Sequence, residues 1–305
     1  MTRSRGRALA LAFALAAAGC APSNRLGLQV HLERASYTYR GEALEWWAGA
    51  PAGAGRDLPV LVVLEGDGAR CEAFSERRWS RFLVKNTGRF VLVRPKTLVN
   101  ATCEAAPARF RALDFLHRVD ELGAIVAAVR AAHPHGPLVL VGHSAGAHVA
   151  RLYAERAPEE VAALVDLSGG FAELSSVFAD LDAASGAPAR FTAAANEVRS
   201  LAGSAPFWGR TALFWRQMLG SGVGPLWESY RRPCLAIHGT ADRESVPFAG
   251  VARDAARIRA AGGSCVLLAL DGVGHDTLGP EGFARVDRFV AEWATESSTS
   301  GREVR

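Results

Sequence analysis

The sequence predicts an α/β domain, a doubly wound and mostly parallel sheet with a helical cap insertion, and three observations carry that expectation. From residue 59 onward, short runs rich in Val, Leu and Ile alternate with longer segments of helical period. Those short runs show little polar alternation, as expected for strands buried on both faces. One stretch, 169–232, breaks the rhythm with no strand signal at all.

The first two runs predict strands at 60–64 and 90–93, with a helix over 72–85 between them. Further strands are expected at 138–141, 162–167, 234–238 and 265–270. Helices are expected at 114–132, 145–156, 248–261 and 280–294, so that helices cover both faces. Upstream, residues 27–47 alternate Leu28, Val30 and Leu32 with Gln29, His31 and Glu33, which suits an antiparallel pair at one edge. The break at 169–232 is too long for a connecting loop. Ala-rich segments and Phe207, Trp208, Phe214, Trp215 and Trp227 mark it as a helical insertion on the sheet's carboxyl rim, where open α/β sheets place ligands. Alternatively, these rings only pack the insertion onto the body. Residues 295–305, rich in Ser, Thr and charge, are expected to be an unstructured tail.

Composition narrows the function classes. With 49% hydrophobic residues in 305, there is material for one large core, which excludes a mostly disordered chain. The net charge of +4 includes Arg3, Arg5 and Arg7 of a leader-like segment, and without them only +1 remains. Charge therefore gives no case for nucleic acid.

That leader occupies residues 1–20. Three arginines precede an apolar run over 8–18 that is too short for a stable membrane span, and small residues follow, the order of a secretory signal. Its end, Ala17-Ala18-Gly19-Cys20, resembles the lipobox of bacterial lipoproteins, in which Cys20 would be acylated and tie the chain to a membrane. A plain signal peptide is the alternative. Either reading predicts an exported, periplasmic protein whose folded domain spans 21–294.

Export permits disulfides. Cys71 and Cys103 follow two consecutive predicted strands and would share one rim of the sheet, whereas Cys234 and Cys265 each open a strand at the other rim. The expected pairs are Cys71 with Cys103 and Cys234 with Cys265, against buried free thiols. No cysteine or histidine spacing suggests a metal site.

The chemistry concentrates in three loops. Gly142-His143-Ser144-Ala145-Gly146 lies between a strand and a helix, where a sharp turn lifts a serine hydroxyl above the sheet. A serine hydroxyl needs an adjacent base, and the base needs an orienting acid. Two later strands end in His238-Gly239-Thr240-Ala241-Asp242 and in Asp271-Gly272-Val273-Gly274-His275, which supply both in the order Ser, Asp, His. Asp166, inside a predicted strand, is the alternative orienter. His238 more often serves local packing, while His143 and His148 flank the serine in supporting roles at most, and His31, His117, His133 and His135 read as surface or core residues. Asp276 adjoins His275 but is badly placed to face its ring.

Over roughly 59–294 these motifs resemble the α/β-hydrolase superfamily. The resemblance implies the α/β-hydrolase fold, Ser144 as nucleophile, His275 as base and then acid, and Asp242 as its orienter, with no metal or organic cofactor. The oxyanion donors would be the amides of Ala145 and of Asp67, with Gly66 the alternative to Asp67. Glu65 stands where related enzymes often carry His before Gly.

Together these readings predict an exported serine hydrolase that acts on a small-molecule carboxylic ester through an acyl-enzyme. Peptidase, amidase or acyltransferase activity on the same fold is the enzymatic alternative, and a ligand-binding envelope lipoprotein is the non-enzymatic one. The sequence implies no protein partner.

Overall fold

The computed structural model describes residues 30–51, 57–66, 91–95, 114–186 and 189–300. Its strands are β1 (Val30–Tyr39), β2 (Glu42–Pro51), β3 (Val60–Leu64), β4 (Val91–Pro95), β5 (Leu138–His143), β6 (Ala163–Leu167), β7 (Pro206–Phe207), β8 (Arg210–Thr211), β9 (Cys234–Gly239) and β10 (Cys265–Leu270). Its helices are α1 (Phe115–Ala132), α2 (Ala145–Arg156), α3 (Leu174–Ser185), α4 (Arg190–Ser200), α5 (Ala212–Leu219), α6 (Val223–Ser229), α7 (Phe248–Ala260) and α8 (Pro280–Ser300).

Eight strands form one sheet in the order β1-β2-β4-β3-β5-β6-β9-β10. The first two make an antiparallel hairpin at the edge, as the alternation at 27–47 predicts, although it reaches further, to Pro51. Arg40 (φ 52°) and Gly41 (φ 80°) make its two-residue turn, the left-handed pair that matches strand twist. From β4 to β10 every pairing is parallel.

Alternate residues of the central strands feed two separate cores. Val62, Leu64, Leu140, Leu164 and Ala236 pack with Val119 and Leu122 of α1, Val149 of α2 and Val251 and Ile258 of α7. Leu61, Val63, Val141, Val165 and Ile237 pack on the other face with Phe283, Val286 and Val290 of α8. Burying each such side chain is worth about 1.5–3 kcal/mol, so polar alternation within these strands would be costly. Strand β10 departs from the expected double burial because it is the outer edge among the described strands, and its Val266 is 58% exposed.

The insertion consists of α3 to α6, of which α3, α4 and α5 enclose a small core of Phe178, Leu181, Val198 and Leu219, while Val223 and Trp227 of α6 join the main core. The expectation of no strand in it is corrected by β7 and β8, a hairpin of two residues each turning at Trp208 (φ 42°) and Gly209 (φ 75°). Two residues cannot show alternation. At the other end, α8 continues to Ser300 instead of stopping at 294, because neither Gly nor Pro interrupts 295–300. The expected helix at 72–85 and the leader at 1–20 lie outside the described residues.

Candidate active site

The site is assembled at the carboxyl rim, beginning with the turn after β5. Ser144 adopts φ 53°, ψ −126°, a conformation that side chains rarely take, so its neighbours must hold it there. Its amide donates to the Leu167 carbonyl at the end of β6 (2.8 Å), and its own carbonyl accepts from the Ala147 amide (2.9 Å). A Cβ on Gly142 would stand 2.4 Å from Ala147, and one on Gly146 would stand 2.4 Å from the Leu64 carbonyl oxygen. Both glycines of the motif are therefore steric requirements. Helix α2 opens directly at Ala145, so the amides at its start favour negative charge there.

Gly66 follows β3 and lies against this turn, where a Cβ would come within 3.0 Å of the Ser144 Cβ and 3.2 Å of His143 Nδ1. The preceding Glu65 is buried, and its carbonyl accepts a hydrogen bond from the buried Arg118 guanidinium of α1. Sequence reasoning missed Arg118. The available signal was a cation within the apolar stripe of Phe115, Val119 and Leu122.

The other two loops converge on Ser144. His275 Nε2 lies 3.1 Å from Ser144 Oγ, and Nδ1 lies 2.7 Å from Asp242 Oδ2. Asp242 Oδ1 accepts from the amides of Ser245 (3.2 Å) and Val246 (3.3 Å). Burial pushes this carboxyl upward, but His238, His275 and the Ser245 amide outweigh burial and hold it well below the usual carboxylate range. An ionised Asp242 favours the tautomer with a proton on Nδ1, which leaves Nε2 free to accept from the serine.

The remaining candidates have local partners. His238 Nε2 lies 2.8 Å from the Val246 carbonyl and 3.4 Å from Asp242 Oδ2, so it buttresses the acid from behind. Asp166 is buried below the turn and accepts from the Gly169 amide (2.6 Å), while Asp242 faces the His275 ring. His148 bonds the Gly169 carbonyl (3.1 Å), and burial pushes its pKa down to about 4, so the ring is neutral at pH 7. The buried His143 ring lies 5.4 Å from the His275 ring, centre to centre. Asp276 bonds the Leu278 amide.

The insertion's rings divide into two groups. Phe214 and Trp227 are buried in the main core, Phe214 against Phe115 of α1 and Trp227 against Phe171, while Phe207, Trp208 and Trp215 cluster within the insertion. At the opposite rim, Cys234 and Cys265 are paired in register and joined by a disulfide. Cys20, Cys71, Cys103 and Asp67 lie outside the described residues, so the pairing of Cys71 with Cys103 and the Asp67 donor stay expectations.

A family model described as the alpha/beta hydrolase fold matches residues 72–221. No curated protein matches the chain. Among solved structures, Est1E from Butyrivibrio proteoclasticus with bound ferulic acid is similar at 16% identity and TM-score 0.63, over 86% of this chain and 98% of that one. A thermostable carboxyl esterase from Bacillus coagulans aligns at 14% identity and TM-score 0.63, over 88% of this chain and 99% of that one. A membrane phospholipase A aligns at 18% identity and TM-score 0.56, over 94% and 98%. The sheet order, the position of the turn after β5 and these alignments lead to one conclusion: the chain has the α/β-hydrolase fold, as the sequence motifs anticipated.

Proposed function

We propose that this protein is an exported serine hydrolase that cleaves a carboxylic ester through an acyl-enzyme. The observation that carries the reading is the continuous line from Ser144 Oγ through both nitrogens of His275 to an ionised Asp242. As Ser144 Oγ bonds the ester carbonyl carbon, its proton moves to His275 Nε2 and the carbonyl electron pair moves to oxygen. The Ala145 amide and a second amide from the loop after β3, at Asp67 or Gly66, receive that negative charge. Each such donor contributes about 3–4 kcal/mol to the transition state. Collapse expels the alcohol, which takes the proton from Nε2, and water then repeats the sequence to release the acid.

The ester preference draws support from two similar structures, one a carboxyl esterase and one holding ferulic acid. The rings of the insertion suit an acyl group with an apolar or aromatic part. Export is consistent with the oxidised Cys234–Cys265 pair, since disulfides persist in oxidising compartments, and a lipidated Cys20 would then place the enzyme at a membrane.

A fluorophosphonate probe tests the reading directly. The wild-type protein is expected to label at one serine, and S144A is expected not to label. Folded wild-type protein that resists the probe would exclude the enzyme and leave a ligand-binding envelope lipoprotein. Initial rates on ester, aminoacyl-arylamide and acyl-acceptor panels then separate an esterase from a peptidase, amidase or acyltransferase.

A further inference from the structure

We propose that Ser168 and Thr277 are positioning residues that set the separation between Ser144 and His275, an inference that rests on the serine hydrolase reading above. Their hydroxyls share a hydrogen bond of 2.8 Å, and both side chains are fully buried. Their significance lies in what each is attached to.

Ser168 follows Leu167, the residue whose carbonyl accepts the Ser144 amide. Ser168 itself is held in the left-handed region at φ 59°, and its amide donates to the Ile237 carbonyl of β9 (2.9 Å). A serine in that conformation is strained, and the surrounding bonds must keep it there. Consecutive residues at the end of β6 thus hold the nucleophile's backbone through a carbonyl and reach the base's loop through a hydroxyl.

Thr277 lies two residues beyond His275, and its amide donates to the His275 carbonyl (3.2 Å). The loop that carries the base has two anchors. On the near side, the Gly272 amide and Asp271 carboxylate bond the Thr240 hydroxyl, and the Ala241 amide bonds the Val273 carbonyl, which ties this side to the loop of Asp242. On the far side, the bond from Thr277 to Ser168 ties the loop to the strand that holds the nucleophile. The near anchor fixes the imidazole relative to its acid, and the far anchor fixes it relative to the alcohol. Releasing the far anchor should leave the His275–Asp242 bond intact and let the 3.1 Å contact with Ser144 lengthen. A displacement of about 1 Å at reacting atoms can cost up to 100-fold in rate.

The experiment compares T277V, T277S, S168A and the S168A/T277V double variant on a p-nitrophenyl ester, with kcat, KM, the pH profile and the melting temperature read for each. T277V and S168A are each expected to lose about 10-fold in kcat, with KM and the apparent pKa of the base unchanged, and T277S to return near wild type. The double variant should be no slower than the worse single, because both substitutions remove one bond. Single variants that melt lower but turn over within about twofold of wild type would assign the pair a purely structural role and overturn the proposal. A double variant whose loss is the product of the singles would also overturn it. If T277V does not fold, S168A removes the same bond from the other partner and decides the outcome alone. Wild-type protein without hydrolase activity would defeat the underlying reading, whereas active wild type with unaffected variants would defeat this inference alone.

Discussion

At the elbow around Ser144 the backbone does the holding, whereas in the insertion the side chains do. Gly142 and Gly146 leave no room for a Cβ, and the Ser144 amide is pinned to Leu167, so the strained turn is fixed by contacts that no other residue type permits. The insertion instead relies on rings: Trp208 lies 5.0 Å from Phe207, 5.7 Å from Trp215 and 5.8 Å from Phe178, centre to centre. Arg151 of α2 adds a buried link, bonding the Leu226 carbonyl and stacking over Tyr230. The geometry around the proposed nucleophile is therefore placed where sterics forbid alternatives. The surrounding wall is built from packing that many residues could satisfy.

The largest expected effect belongs to the rigid region. D242N keeps the shape of the carboxylate but removes its charge, so on the proposed mechanism the imidazolium formed during attack loses its partner and the ring can adopt the wrong tautomer. A fall in kcat of about 10³–10⁴, near 4–5.5 kcal/mol, is expected, and the melting temperature at neutral pH should fall as well, because the folded chain holds the Asp242 carboxyl well below the usual carboxylate range and the amide loses that stabilisation. A loss under about tenfold would mean that the rigid rim does not align the base through Asp242, and the contrast between the two regions would lose its functional content.

A second test asks what the rigid region costs in stability. Burial pushes the Asp166 carboxyl up to about 7, against the opposing pull of the Gly169 and Gly170 amides and of His238. Below the ordinary value of 3.8, both the folded and unfolded chains hold the proton, and burial of the charge costs nothing. Between 3.8 and about 7 the unfolded chain ionises first, so stability falls as pH rises, and above about 7 the full penalty is present. D166N removes the ionisation while its side-chain oxygen can still accept from Gly169. It should be more stable than wild type by about 2–4 kcal/mol at pH 8, with the advantage vanishing near pH 4. Parallel denaturant titrations at the two pH values measure this, and equal wild-type and D166N curves would place the ionised carboxylate at no cost.

The same contrast explains what could be read from the sequence. The elbow was legible because two glycines around Ser144, between a strand and a helix, are a local pattern with a steric cause. Asp242 and His275 were legible through chain order, each following an apolar strand. The double-core sheet was legible because the apolar runs lack alternation. Ser168 and Thr277 were not, because they stand 109 residues apart and only the folded topology brings them together. The edge position of β10 was missed for a related reason: Val266 and Leu267 read as a core run until the strand order shows that no described strand lies beyond them in the sheet. In the insertion, the hairpin of β7 and β8 left only Gly209 as a signal, since Trp208 is a residue type that turns of this kind rarely use.

Trp208 gives the smallest effect and the finest resolution of the contrast. It combines a left-handed backbone with a large ring that is 46% exposed, so strain and packing oppose each other at one residue. Holding a bulky residue at φ > 0 costs about 1–2 kcal/mol, while each aromatic pair contributes about 0.5–1.5 kcal/mol beyond its buried area. With several ring partners, packing wins, and W208A should lower stability by about 1–2 kcal/mol. Asparagine loses the same rings but tolerates the left-handed turn, so W208N should melt above W208A by the strain relieved, about 0.5–1 kcal/mol. Equal melting of the two variants would show that ring contacts alone govern this hairpin. A W208N as stable as wild type would show instead that strain cancels the packing, and that the insertion too is shaped by its backbone.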